Sequence, residues 1–178
     1  MKSVLDYALA YARAGYSVIP IKADGSKAPA LPSWSEYQVR PATVEELKCW
    51  FTAEALLGIG IVCGAVSRNL EVLDFDVPEI FAAFVAKVGE ARITELPQVK
   101  TPSGGRHLYL HRSVVPPGSR KLAQRLISIP GEKPIKLKVL VETKGEGGQV
   151  VAPGTPAVCH ATGLPYVWIK PPPGIVLP

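Results

Sequence analysis

Two aspartates set into an apolar run are the residues in this chain best placed to do chemistry. The run is Leu70-Glu71-Val72-Leu73-Asp74-Phe75-Asp76-Val77-Pro78-Glu79. Side chains alternate faces along an extended strand, so Asp74 and Asp76 project from one side with Val72. Leu73, Phe75 and Val77 then point the other way, into a core. Carboxylates two residues apart lie roughly 7 Å apart along a strand and repel unless something neutralises them. A divalent cation is a common remedy, because hard carboxylate oxygens are what magnesium and manganese take. The alternative is structural: aspartates at the solvated end of a strand that runs into a helix.

Two later stretches offer partners. Ser103-Gly104-Gly105-Arg106-His107-Leu108-Tyr109-Leu110 combines a glycine turn with donors from Ser103 and Arg106. Glycines let backbone N–H groups converge on an anion, and arginine can bind a phosphate bidentately. With Arg106 as the first strand residue, His107, Tyr109 and His111 share a face. Taken singly, the glycines are a turn and His107 a half-buried imidazole. The stretch from Val139 to Pro153 places Glu142 at the end of an apolar strand, then Lys144, then glycines. By itself that reads equally well as a β-hairpin with a charged turn. In combination, an acid pair, a Ser-Gly-Gly-x-His turn and a strand-end acid make a site for a metal–triphosphate. Three carboxylates can hold two divalent ions, which activate a hydroxyl and steady a leaving pyrophosphate.

The elements around these residues read as α+β. A helix is expected over residues 3–14, capped by Ser3 and Asp6, and a second from Thr43 to about Ala53 on a Thr43/Glu46 capping box. A third runs from Pro78 to Gly89. Strands are expected over residues 16–21, 58–64, 70–77, 96–100, 106–112, 135–142, 149–152 and 166–169, mostly antiparallel. Residues 145–148 form a turn that pairs the strand at 149–152 with the one before it. Residues 119–129 read either as a short basic helix or as an irregular strand. The proline-rich residues 171–178 read as a linker after a domain spanning residues 1–170.

Bulk properties bound the class. At 178 residues the chain suits one domain, and 47% hydrophobic with 20% charged residues excludes a disordered polymer. A net charge of +5 is compatible with a polyanionic partner. Cys49, Cys63 and Cys159 are far apart and show neither zinc nor disulfide spacing. Asp6 and Arg13 interrupt the first apolar segment, and no apolar run approaches a membrane span. These features point to a reduced, cytoplasmic setting.

The sequence resembles the N-terminal catalytic domain of the bifunctional primase–polymerases of the archaeo-eukaryotic primase superfamily, often found in plasmids, phages and integrated mobile elements. The resemblance rests on Leu73-Asp74-Phe75-Asp76, Ser103-Gly104-Gly105-Arg106-His107 and Val141-Glu142. It extends through Gly15-Tyr16-Ser17-Val18-Ile19-Pro20, Lys27, Trp34, Gly147-Gly148-Gln149-Val150-Val151-Ala152-Pro153-Gly154 and Tyr166. It implies a twisted sheet of the RNA-recognition-motif type with an N-terminal α/β unit packed on it. The implied reaction is template-directed nucleotidyl transfer on a single-stranded DNA template. Asp74, Asp76 and Glu142 would ligate two magnesium or manganese ions. His107, with Ser103, Gly104, Gly105 and Arg106, would hold the incoming ribo- or deoxynucleoside triphosphate. Lys144 and Lys27 are further candidates for phosphate or template contact. A helicase or primase accessory domain is expected beyond the linker. One departure concerns the third acid, frequently Asp in the family and here Glu142, with Glu146 as its rival. Two competing readings are a metal-dependent nuclease, which has no triphosphate to hold, and a catalytically silent DNA-binding replication module.

Overall fold

The computed structural model describes residues 3–127 and 136–175 and builds them into two antiparallel sheets with helices on their faces. Helix α1 (Val4–Arg13) begins at its capping box: Ser3 accepts the Asp6 N–H, and Asp6 accepts the Ser3 N–H. Strand β1 (Ser17–Ile21) follows, buried throughout. Helix α2 (Val44–Trp50) opens on the second box, Thr43 with Glu46. Strands β2 (Gly58–Val62) and β3 (Leu70–Phe75) come next. Helix α3 (Pro78–Val88) starts on proline, whose missing N–H would have no partner at that position anyway. A short helix α4 (Glu90–Thr94), absent from the sequence expectation, leads to β4 (Gln98–Lys100) and β5 (Arg106–His111). The remaining strands are β6 (Arg120–Ile127), β7 (Lys136–Lys144), β8 (Gln149–Val151) and β9 (Val167–Lys170).

The larger sheet has the order β6-β7-β3-β5-β4-β9, and the smaller has β1-β2-β8. Every pairing between these strands is antiparallel, so the α+β expectation holds. The six-stranded sheet is a middle layer between two cores. Val72, Val99 and Tyr109 on one face pack with α1, α2 and the smaller sheet. Phe75, Leu108 and Val141 on the other pack with Phe81, Phe84 and Ile93 from α3 and α4. β3 therefore has a core on both sides, and its side chains divide between them as the alternation predicts.

Two expectations change. β8 does not form a hairpin with β7; it pairs with β2 in the other sheet, with Ile61 opposite Val150. The physical reason is that both edges of β7 are already taken, by β3 and by β6. Residues 145–148 are thus a crossover between sheets. The ambiguous basic segment is a strand, β6, made irregular by register shifts on either side of Ala123. Its continuation, residues 128–129, and the first residue of the strand expected at 135 lie outside the described residues.

The proline-rich end begins packed: Pro172 is buried, and Ile175 joins the first core. Residues 176–178 lie outside the described residues. Nearby, Trp168 Nε1 donates to the Tyr11 hydroxyl at 2.9 Å, and that hydroxyl donates to the Pro153 carbonyl at 2.7 Å. Cys49, Cys63 and Cys159 are free thiols. Among the described residues no helix is long and apolar enough to cross a membrane.

Candidate active site

Three neighbouring strands place three of the expected residues in one row. Asp74 on β3 is the direct cross-strand partner of Glu142 on β7 and of His107 on β5. Direct partners share a face, with Cβ atoms roughly 5 Å apart. Asp76 follows where β3 ends, its N–H donating to the Leu140 carbonyl at 3.0 Å. The row opens into a cavity of about 300 Å³ lined by Lys27, Asp74, Asp76, His107, Glu142, Lys144, Gln149 and Tyr166, among others. Residues separated by more than a hundred positions thus meet on one polar surface.

Contacts inside the cavity are partial. Lys144 Nζ lies 2.7 Å from Glu142 Oε1. His107 Nε2 is 3.4 Å from Asp74 Oδ1, a long contact for a hydrogen bond. His107 Nδ1 is buried and has no hydrogen-bond partner. Gln149 donates to the Lys27 carbonyl at 3.0 Å, while its own carbonyl oxygen is buried and unpartnered. Lys27 holds a φ of 61°, a left-handed conformation uncommon outside glycine. Strain of that kind persists where the surroundings enforce it, often at functional sites. The Tyr166 ring packs 5.9 Å from His107 and 5.9 Å from His160.

The two aspartates titrate in opposite directions. Burial pushes Asp74 up, but His107, Lys144 and Lys27 outweigh it, so its carboxyl falls below the ordinary aspartate range. Burial raises Asp76, and the neighbouring charges of Asp74 and Glu142 add to this against Lys27 and Lys144. The Tyr166 phenol is raised by burial and by both aspartates. Burial, and then Lys27, lower His160. Carboxyls held apart in this way are common where a protein prepares a charged ligand site.

Residues 8–178 match the family of bifunctional DNA primase/polymerase N-terminal domains. The chain belongs to this family. No curated protein matches it. At family level it is a primase/polymerase-type domain, a class that engages DNA and nucleotides.

For a primase/polymerase domain, the placement of the Ser-Gly-Gly-x-His stretch is the main surprise. Only His107 of that stretch lines the cavity. Arg106 precedes it in the strand and so faces the other way, towards α3. Its guanidinium donates to the Gly105 carbonyl at 3.0 Å and lies 5.5 Å from the centre of the Phe81 ring. It is therefore withdrawn as a phosphate ligand. Ser103 is exposed outside the cavity, and the Gly104 N–H is spent on the Thr101 carbonyl. The glycines have a different use. A Cβ on Gly105 would collide with the Phe75 carbonyl, so its absence lets β5 close against β3 and sets His107 opposite Asp74. Of the two rival glutamates, Glu142 faces the cavity. Glu146 is engaged elsewhere, accepting the Ala65 N–H at 2.7 Å.

Sequence reasoning misses Gln149 and Tyr166 as site residues. Gln149 and Tyr166 stand in the segments that carry the resemblance, but no local spacing marks either as a ligand. They arrive by tertiary closure, one at the start of β8 and one just before β9.

Among the described residues, no three His, Cys, Asp or Glu side chains form a ready-made metal cage. Magnesium seldom requires one, since one or two carboxylates commonly hold it together with substrate phosphates and waters. The donors at the cavity suit such an ion: hard oxygens from Asp74, Asp76 and Glu142, with Asp76 raised first by burial and then by its acidic neighbours.

Proposed function

We propose that this domain is a metal-dependent nucleotidyltransferase that makes and extends primers on a single-stranded DNA template, in the replication of a plasmid, phage or mobile element. The observation that carries the reading is the convergence of Asp74, Asp76 and Glu142 with Lys27 and Lys144 in one cavity. Divalent cations held by the three carboxylates and the triphosphate would activate the primer hydroxyl and neutralise the departing pyrophosphate. The chain's own groups do the rest. Lys27 and Lys144 present compact ammonium charges to the phosphate tail. Lys144 exchanges Glu142 for a phosphate oxygen as substrate enters. His107 keeps Asp74 ionised and oriented. Tyr166 closes the wall beside His107 and limits water at the reacting end.

The test is incorporation of labelled nucleotide on a primed template with magnesium or manganese. The wild-type protein extends the primer, and Asp74→Asn does not, although it melts at the same temperature. If the wild-type protein instead cuts labelled DNA without nucleotides and incorporates none, the proposal is wrong.

A further inference from the structure

Beyond the cavity, the basic segment of β6 has no role in the chemistry described so far. β3 pairs with β7 only over residues 141–144, so residues 136–139 are laddered with β6 alone. The two strands form an arm that runs past the end of β3. Its bases are Arg120, Lys121, Arg125, Lys136 and Lys138, and neither β6 nor residues 136–141 contribute a carboxylate. Arg120, Lys121, Arg125 and Lys138 are exposed, and none of these four is ion-paired among the described residues.

Two details turn a basic surface into a directed one. Arg125 and Lys138 are direct cross-strand partners. Like charges placed directly opposite weaken a strand pair, so the ladder holds this rung at a loss of stability. A polyanion lying over the rung would relieve the repulsion. The second detail is position. Lys121 is the cross-strand partner of Glu142 itself, and Lys138 lies on the same strand as Glu142, roughly 13 Å away at the usual rise per residue. The cations therefore lead from the arm to the mouth of the cavity.

We propose that the β6–β7 arm grips the single-stranded template by its phosphates on the approach to the cavity. Arg125 and Lys138 each hold a phosphate across the rung, and Lys121 is the contact nearest Glu142. The inference rests on the DNA-templated reading above, but its test requires no catalysis.

The test measures binding of a fluorescent oligothymidine to the whole protein over a series of potassium chloride concentrations. Arg125→Glu is expected to weaken binding roughly tenfold or more at low salt, and to flatten the log–log salt dependence by about 0.7 for each phosphate that is no longer neutralised. The same change gives Lys138 an opposite charge across the ladder, so the melting temperature does not fall. The neutral double variant, Arg125→Gln with Lys138→Gln, should flatten the slope by about 1.4 and also melt no lower than wild type. A merely structural arm predicts the reverse, with lower melting temperatures and unchanged DNA binding. Wild-type affinity and slope in both variants overturn the proposal. So does a wild-type protein that binds phosphatidylserine vesicles but not the oligonucleotide. Arm-dependent DNA binding without nucleotide incorporation would remove the polymerase reading and leave the arm standing. Incorporation with DNA binding indifferent to the arm would do the opposite.

Discussion

Around Tyr37, the Arg40 guanidinium meets both Glu36 and Glu46, and Glu46 also accepts the Tyr37 hydroxyl at 2.9 Å and closes the capping box of α2. The hydrogen bonds from Arg40, then those from Thr43 and Tyr37, hold the Glu46 carboxyl far below its ordinary range. At the cavity, three carboxylates face two lysines, His107 Nδ1 and the Gln149 carbonyl oxygen are buried without partners, and Asp76 is pushed up rather than down. The two clusters use the same residue types. In one, every demand is met within the chain. In the other, demand is left over, and buried polar atoms without partners call for an explanation such as a ligand. The comparison teaches that charge content alone does not mark a site; incomplete internal pairing does.

Four substitutions would break or sharpen this contrast. The largest effect is expected from Asp74→Asn, which should lower nucleotide incorporation at least about 10²-fold with little change in melting temperature. A large stability loss with activity intact would place the cavity with the closed cluster instead. Next is Gly105→Ala, whose methyl meets the Phe75 carbonyl. It should cost about 1–3 kcal/mol by denaturant unfolding, and it should reduce activity because His107 shifts from Asp74. Lys144→Gln should raise the nucleotide KM roughly tenfold while changing kcat less, as steady-state kinetics would show.

The smallest effect belongs to the closed cluster. Glu46→Gln should lose about 1 kcal/mol at neutral pH, mainly because a neutral amide no longer pairs with the Arg40 charge while it can still close the cap, with incorporation unchanged. The sign of its pH dependence follows from the lowered carboxyl. A group depressed on folding adds stability above its unfolded pKa and loses it as pH falls towards the folded value. Glu46 has an ordinary value of 4.5, so the gap between wild type and variant should be full at neutral pH and narrow below about that pH. A gap that stayed constant in acid would show that the carboxylate charge contributes nothing.

Much of this was legible in the sequence because it is local. Ser3 with Asp6 and Thr43 with Glu46 announce helix starts by side chains that reach only three residues. The division of β3 between two faces follows from alternation alone, and so does the shared face of His107 and Tyr109. The same rule sets Arg106 opposite His107, a consequence that the attraction of an arginine beside a glycine turn obscures. What was not legible depends on which strand neighbours which. Alternation identifies β8 as a strand but cannot choose between β7 and β2, and that choice decides where Gln149 ends up. Tyr166 is invisible for the same reason. The match of Glu142 to Asp74 lay between these extremes: each residue stood out, and only the pairing of β3 with β7 made them neighbours.

The Tyr11 hydroxyl also bears on how the chain is made. Its two partners lie 142 and 157 residues downstream, at Pro153 and Trp168. During synthesis, α1 leaves the ribosome long before either partner exists, and β2 waits similarly for β8. The first core therefore closes only when the end of the domain has been released, and the nascent chain spends most of its synthesis with that apolar surface open. Contacts so distant in sequence slow folding and leave intermediates prone to aggregation. A chain cut before Trp168 would lose more than a final strand: it would leave the first helix without the pin that holds it to the finished sheet.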